Sequence, residues 1–293
     1  MKIGFLGLGK MGKPMALNSL RANRDAVLFY ARHREVCAEL EELGARAAAS
    51  VGALVAESDV CVIMLADEAQ LTECLCPSGK LLDEISGEKL MLVCSTVGAE
   101  CVGQFAGACA ARGVSVADAP VSGGTKKAAD GTLTMYLAGA EAACRTAERA
   151  AEPFARTVYR VGDRPGQAQE LKLLNQLLVG VHMIAAAEVY VLAREAHMDL
   201  ETVYRALTDS AGSSVIFRNR FPCLMEDDYT PKAAVRTLWK DTALAGRTFG
   251  RLETENFLLG EVSGRFFDAK KRGLEAEDMS AVKKMYDRDG ENR

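Results

Sequence analysis

The sequence predicts an α/β protein in which a mostly parallel β-sheet, with helices on both faces, precedes a long helix and a region made only of helices. Three observations predict this fold class. Apolar runs of strand length alternate with helical stretches over residues 1–163. A glycine-rich turn joins the first strand to the first helix. Residues 166–194 are apolar at helical spacing, and only helical patterns follow them.

The composition is that of an ordinary globular protein with room for two domains. The chain has 293 residues, of which 49% are hydrophobic and 26% charged, and its net charge is −4. A mildly acidic chain has no general electrostatic attraction to nucleic acids or to anionic membranes. We therefore expect neither as a partner.

The nine cysteines do not form a motif for disulfides or for a metal. No Cys-x-x-Cys pair occurs, and Cys61 and Cys94 lie within apolar runs. This pattern is typical of reduced thiols in a cytosolic protein. Met1 is followed at once by a strand pattern and not by the regions of a signal peptide. We expect a cytoplasmic protein without a bound metal.

The first strand, over residues 2–6, runs into a G-x-G-x-x-G loop that a helix follows. The loop residues, all candidates for cofactor binding, are Gly7, Leu8, Gly9, Lys10, Met11 and Gly12. In such a loop the first glycine permits a tight turn, the second lets the backbone approach a pyrophosphate, and the third lets the helix pack against the strand. The same letters also occur in plain glycine-rich turns, but the flanking strand and helix favour a dinucleotide site.

The residues after the second strand, over 26–30, bear on the choice of dinucleotide. An NAD-binding chain offers Asp or Glu to the ribose hydroxyls at this point. This chain has Arg32, His33 and Arg34 there, and no acid. Guanidinium groups suit a 2′-phosphate, so we predict NADP over NAD, with Arg32 and His33 at the cofactor. The alternative is that Arg34 simply begins the next helix and faces water.

Later strands place further candidates at the edge of the sheet. The alternation continues with a helix over 51–58 and strands over 59–65, 90–94, 114–117, 134–138 and 157–161. Ligands of parallel sheets bind beyond the carboxyl ends of the strands. Two strands end in residues that we therefore expect at the cofactor, namely Met64, Leu65, Ala66, Ser95 and Thr96.

A second loop, over residues 118–125, has the composition of an anion site. A strand runs into Ser122, Gly123 and Gly124, and a helical patch follows. A hydroxyl and consecutive backbone N–H groups at the start of a helix suit a carboxylate. The alternative is an ordinary turn.

The long helix over residues 166–194 is apolar on most of its circumference, so other elements must cover it. Its length would allow a membrane span, but Asn175, Gln176, His182 and Glu188 interrupt it, and no comparable second segment exists. We interpret it as a buried helix. Near its start Lys172 and Asn175 share one face, either for a chemical reason or as a solvated first turn.

Four stretches together resemble the β-hydroxyacid dehydrogenase family. GLGKMGKPMALN is similar to the cofactor fingerprint of the family, DAPVSGGTKKAADGTLTMYLAG to its substrate-binding segment, GQAQELKLLNQ to its catalytic segment, and Trp239-Lys240-Asp241 to its C-terminal Lys-Asp pair. The second stretch is most similar to the glyoxylate/succinic semialdehyde reductase branch, which generally uses NADPH. The resemblance implies a Rossmann-like domain over 1–163 and an all-helical domain over 164–293. The helical patterns of the latter lie at 200–208, 231–249, 253–272 and 280–286.

The resemblance also implies roles at the site. Lys172 corresponds to the family's catalytic lysine, and the positions of the three histidines make Lys172 the best proton donor in any case. We expect Asn175 to orient substrate or water. Ser122, Gly123 and Gly124 are then the carboxylate site, and Lys240 and Asp241 lie at the cofactor or the anionic substrate. For Lys240 the alternative is an ordinary helix-surface lysine that pairs with a neighbour.

The function predicted from the sequence is NADPH-dependent reduction of small carboxylate-bearing aldehydes, reversible as hydroxy acid oxidation. One alternative is a 3-hydroxyisobutyrate or tartronate semialdehyde dehydrogenase that uses NAD. Two others are an imine reductase and a non-catalytic cofactor-binding module, against which Lys172 argues. The apolar long helix also predicts a homodimer or homotetramer.

Overall fold

The structure is a computed structural model that describes residues 1–22, 27–30, 37–75, 85 and 87–287. The chain forms two units, Met1–Lys172 and Leu173–Arg293, and the division between them falls within one helix. The domain boundary predicted at residue 163 stays a prediction.

The first unit alternates strands and helices, as the sequence predicts. Its strands are β1 Ile3–Leu6, β2 Val27–Tyr30, β3 Arg46–Ala47, β4 Val60–Ile63, β5 Leu90–Val93, β6 Ser115–Asp118, β7 Val121–Ser122, β8 Leu133–Ala138 and β9 Ala155–Gly162. Its helices are α1 Gly12–Ala22, α2 Ala38–Glu42, α3 Val51–Glu57, α4 Glu68–Leu75, α5 Ala99–Ala110, α6 Gly124–Ala129 and α7 Glu141–Ala151. The very short β3 and β7 carry too few apolar residues to be predicted.

The sheet has the order β3-β2-β1-β4-β5-β6-β8-β7, with β9 paired to β8. Strands β1 to β6 are all parallel, whereas β8 runs antiparallel to β6 and β7. This confirms the predicted α/β class with a mostly parallel sheet. The order reverses at β1 and β4, so the loops after these strands lie at the switch point where such sheets bind ligands.

Two apolar layers cover the faces of the sheet. Along β1 successive side chains point to opposite faces, so Phe5 joins one buried cluster with Met15 and Phe154, while Leu6 joins another. The second cluster contains Leu54 and Phe105 from α3 and α5. Burial on both faces explains why these strands are continuous apolar runs.

The long helix α8, Gln167–Glu195, begins in the first unit and continues into the second. Within the described residues it is the one helix whose length and composition would suit a membrane span, a test that core helices of soluble proteins also pass. Gln169, Lys172 and Gln176 are buried polar residues on it, at positions i, i+3 and i+7. One stripe of this apolar helix is therefore polar and covered.

The second unit is helical throughout its described part. After α8 it contains α9 Leu200–Thr208, α10 Val215–Met225, α11 Val235–Phe249, α12 Phe257–Lys271 and two 3₁₀ helices, Gly250–Leu252 and Met279–Met285. Its core joins Met183 and Tyr190 of α8 to Phe217, Phe221 and Phe266. The sequence did not predict α10, which has Pro222 inside it and starts at the Ser214 cap.

Buried Asp278 explains why α11 begins at Val235 and not at residue 231. Its Oδ2 accepts hydrogen bonds from the backbone N–H groups of Lys232 and Ala233, both at 2.9 Å. Arg220 Nε lies 3.0 Å from its Oδ1. Residues 232–233 are thereby bound to Asp278 and not included in the helix.

Candidate functional site

The glycine loop between β1 and α1 is closely packed at two of its three glycines. A Cβ atom on Gly12 would lie 2.0 Å from the carbonyl oxygen of Gly7. A Cβ on Gly7 would lie 2.4 Å from that of Met64. The close packing of helix, loop and strands thus requires both glycines.

Gly9 differs, because a Cβ there would meet nothing within 4 Å, and its φ is not positive. Neither packing nor backbone conformation in the protein itself requires glycine at this position. The open space fits a ligand that approaches the backbone closely, as a dinucleotide pyrophosphate does. Lys10 beside it is exposed, whereas Leu8 and Met11 pack into the core of the sheet.

The loops after β4 and β5 hold the next predicted cofactor residues. Ser95 is fully buried, and its hydroxyl accepts a 2.7 Å hydrogen bond from Leu65 N–H and donates a 3.3 Å bond to the Ile63 carbonyl. Ala66 N–H donates to Gln70 Oε1 at 3.2 Å. Ser95 therefore ties the two strand ends together, while Met64, Leu65 and Thr96 are partly exposed beside them.

The residues predicted to select NADP, Arg32 and His33, lie outside the described part of the chain. Their role stays a prediction.

The predicted carboxylate loop leads from β7 into α6. Ser122 is half-buried and pairs with Thr134 of β8, and Gly123 and Gly124 are exposed. Gly123 has a φ of 135°, which favours glycine, and the stem of Lys127 packs against it. The loop thus presents a hydroxyl and two glycine backbones that are accessible to solvent.

A buried hydrogen-bond network, centred on Asp118 at the end of β6, holds the start of α8. Asp118 Oδ2 accepts from the backbone N–H groups of Gly166, Ala168 and Gln169 at 2.8, 3.1 and 3.1 Å. Its Oδ1 accepts from Gln169 Nε2 at 2.7 Å. Burial raises the pKa of Asp118 to about 6, against the lowering effect of these hydrogen bonds.

Gln169 extends this network to the loop after β5. Its Nε2 also donates to the Ser95 carbonyl at 3.0 Å, and its Oε1 accepts from Val97 N–H at 3.0 Å. The sequence interpretation missed both Asp118 and Gln169 as site residues. The available signal was an acid that ends an apolar strand and an amide near the start of an apolar helix.

Lys172 lies one turn after Gln169 on α8 and is only 7% exposed. Burial of an ammonium group is costly, so lysines are rarely found in such positions without a partner or a function. The solvated first turn that the sequence left open is therefore wrong for Lys172.

A second network occupies the other unit and joins three of the predicted residues through Gln176. Asn175 Nδ2 donates to Gln176 Oε1 at 2.9 Å, and Gln176 Nε2 donates to Asp241 Oδ2 at 2.6 Å. Lys240 Nζ lies 3.1 Å from Asp241 Oδ1. Asp241 is 1% exposed, so Lys240 pairs with a buried carboxylate, and its role at the cofactor or substrate stays a prediction.

Among the described residues, no group of three or more His, Cys, Asp or Glu side chains could hold a metal ion.

Comparison with known proteins gives matches over nearly the whole chain. The family model for the NAD binding domain of 6-phosphogluconate dehydrogenase matches residues 2–162. The model for the NAD-binding region of NADP-dependent 3-hydroxyisobutyrate dehydrogenase matches residues 166–286.

Individual relatives agree with these models. L-threonate dehydrogenase of Escherichia coli K12 is 33% identical, over 97% of this chain and 94% of its own. The crystal structure of 3-hydroxyisobutyrate dehydrogenase from Salmonella typhimurium has a TM-score of 0.88 and 34% identity, and the match covers 98% of this chain and 100% of that one. Psf3 in complex with NADP+ and 2-OPP has a TM-score of 0.88 and 25% identity, over 97% and 100%. The chain therefore belongs to the β-hydroxyacid dehydrogenase family and is an NAD(P)-dependent oxidoreductase that acts on hydroxy acids.

Proposed function

We propose that the protein reduces small carboxylate-bearing aldehydes with NADPH and runs in reverse as a β-hydroxyacid dehydrogenase. The buried Lys172 carries this proposal, because its ammonium lies in the unit that contains the open glycine loop. A general acid near a nicotinamide site is what carbonyl reduction requires.

The cofactor would bind at Gly7 to Gly12, with its nicotinamide beside Met64, Leu65 and Thr96. A bound nicotinamide would supply the hydride to the carbonyl carbon during reduction and would accept it from that carbon during oxidation. Lys172 Nζ donates a proton to the carbonyl oxygen during reduction and takes it back during oxidation. Asn175 orients the substrate, and Lys240, held by Asp241, attracts its negative charge. Ser122 and the backbone of Gly123 and Gly124 bind the substrate carboxylate.

The preference for NADP over NAD is also a proposal, supported by Arg32 and by the lack of an acid near it in the sequence. We expect Arg32→Asp to shift the ratio of kcat/KM for NADPH and NADH toward NADH by about tenfold or more. An unchanged ratio would mean that the 2′-phosphate is bound elsewhere.

The name of the L-threonate dehydrogenase relative favours a second candidate substrate, a polyhydroxylated acid. The two candidates differ in the direction that an assay must test. Semialdehydes consume the reduced cofactor, whereas threonate and similar acids produce it from the oxidised cofactor.

The deciding experiment follows absorbance of the reduced nicotinamide with a panel of substrates. The reduction assay contains NADPH or NADH and one of four aldehydes: succinic semialdehyde, glyoxylate, tartronate semialdehyde or methylmalonate semialdehyde. The oxidation assay contains NADP+ or NAD+ and either 3-hydroxyisobutyrate or L-threonate. We expect an acid aldehyde with NADPH to give the highest kcat/KM. Turnover of L-threonate alone would replace the semialdehyde proposal by the second candidate. Silence on every compound, with cofactor binding intact, would overturn both.

We further propose a cytoplasmic homodimer or homotetramer with its domain boundary near residue 163. Leu174, Leu178 and Leu192 of α8 are 46, 57 and 68% exposed within one chain, which supports association through the helical unit. The two family models end and begin at residues 162 and 166, which supports the boundary. Light scattering during gel filtration would measure the oligomeric state, and a monomer at micromolar concentration would contradict it.

A further inference from the structure

Both the nitrogen and the oxygen of the Gln169 side-chain amide have hydrogen-bond partners inside the first unit. Both Nε2 hydrogens have acceptors, Asp118 Oδ1 and the Ser95 carbonyl, and Oε1 has the Val97 N–H as donor. The residue is 0% exposed. A buried amide with three hydrogen bonds is costly to replace, because each lost bond leaves the polar group of a partner unsatisfied.

The two loop contacts of Gln169 lie on either side of Thr96. The Ser95 carbonyl belongs to the peptide group before Thr96, and the Val97 N–H belongs to the one after it. The amide therefore hydrogen-bonds to the peptide groups on both sides of Thr96, as the backbone of a neighbouring β-strand would. These two hydrogen bonds make the position of Thr96, a proposed nicotinamide contact, depend on where Gln169 is held.

Asp118 holds Gln169 in turn. The carboxylate receives the Gln169 side chain on one oxygen and three backbone N–H groups of the first turn of α8 on the other. A carboxylate only accepts, so it also fixes which end of the Gln169 amide carries the N–H groups. Lys172 follows three residues later on the same helix, one turn away.

We infer that Gln169 is a positioning residue, which holds the proposed nicotinamide contact Thr96 and the helical turn of Lys172 in one fixed frame, with Asp118 as its anchor. This inference rests on the proposed function. Hydride and proton must reach the two atoms of one carbonyl group, so a loose frame slows the chemical step more than it weakens binding.

The test replaces Gln169 by Met, which has a similar shape and no amide. Wild type, Gln169→Met and the control Gln104→Met are compared with the best substrate of the panel, and kcat is divided by the number of cofactor-binding sites. Gln104 is exposed, and its Nε2 donates to Glu100 Oε1 one turn earlier on the same helix. We expect kcat per site to fall about 10- to 100-fold in Gln169→Met while the cofactor Kd stays within about threefold. The control should match wild type.

A wild-type enzyme that is active, beside a Gln169→Met variant with kcat within about twofold, would overturn the inference and leave the proposed function standing. A wild type that turns over nothing would instead remove the proposed function. The two failures are therefore distinguishable.

A swap covers the case in which Gln169→Met does not fold. Gln169→Glu places a second carboxylate against that of Asp118. Adding Asp118→Asn gives residue 118 an amide that can donate to this new carboxylate, and the net charge of the pair is again that of wild type. We expect the double variant to regain at least about fivefold in kcat over Gln169→Glu alone. A double variant no faster than the single one would overturn the inference.

Discussion

The buried network around Asp118 in the first unit and the one around Asp241 in the second unit are held in different ways. In the first unit the interactions are mostly with the backbone. Three main-chain N–H groups hold Asp118, and the geometry of the glycine loop requires Gly7 and Gly12. In the second unit the network runs from side chain to side chain, from Asn175 through Gln176 to Asp241 and Lys240.

The difference predicts how each unit tolerates substitution. A backbone N–H in a buried helical turn cannot find another partner when its acceptor is removed. A side chain such as Lys240, which is 23% exposed, can rotate toward water. Equivalent truncations should therefore cost more in the network of Asp118 than in the network of Asp241.

The largest effect should come from Lys172→Ala, which removes the proposed proton donor and leaves the residues of both networks unchanged. We expect kcat to fall at least about 10³-fold, since the proton donor is lost, while the cofactor Kd changes little. Fluorescence titration with NADPH and steady-state assays measure the two quantities. Lys271→Ala, which removes an exposed lysine paired with Asp268, is the matched control. An active Lys172→Ala variant would exclude the proposed mechanism.

Paired truncations of the two central carboxylates test the comparison directly. Asp118→Ala leaves four N–H donors without their acceptor and should lower the free energy of unfolding by about 4 kcal/mol. Asp241→Ala affects Gln176 and Lys240, which can reorient, and should cost about 2 kcal/mol. Urea unfolding measures both values. Equal losses would mean that backbone and side-chain partners are equally hard to replace here.

Two glycine substitutions in the first unit should separate the effect on stability from the effect on NADPH binding. Gly12→Ala should lower the free energy of unfolding by about 3 kcal/mol, because its Cβ would collide with the Gly7 carbonyl. Gly9→Ala should leave the free energy of unfolding unchanged within about 1 kcal/mol and raise the NADPH Kd at least about tenfold. Unfolding and fluorescence titration of both variants check this contrast. Unaltered NADPH affinity in Gly9→Ala would remove the pyrophosphate from this position.

The last effect is a pH dependence of stability that Asp118 of the first unit should produce. The pKa of Asp118 is about 6 when folded and near its ordinary 3.8 when unfolded, so the folded state binds this proton more tightly. Its contribution to stability is therefore full below pH 4 and falls by up to about 3 kcal/mol as the pH rises to 6. Unfolding of wild type and Asp118→Asn between pH 4 and 7 measures the difference. A difference that does not vary with pH would contradict the raised pKa.

The sequence was sufficient for the fold class because the signals were local. Continuous apolar strands, the loop from Gly7 to Gly12 and the long apolar helix each lie within a short stretch of chain. The helices of the second unit were predicted less well at their ends, since Asp278 binds the chain before α11 from 45 residues away. Tertiary contacts of this kind leave no periodic pattern.

The same limit applies to the site. Lys172, Asn175 and the Ser122 loop could be named from short motifs, and their roles remain to be measured. The partners that hold them were invisible, because Gln176 meets Asp241 across 65 residues and Gln169 meets Asp118 across 51. Both glutamines look like minor interruptions of an apolar helix until the acceptors are located.

Helix α8 continues without a break through Lys172 and Leu173, which has a consequence for proteolysis. Within an α-helix each N–H group bonds to the carbonyl four residues earlier, so no extended segment lies at this point of the chain. A protease that needs an extended segment would find none there, and cleavage should require local unfolding of α8.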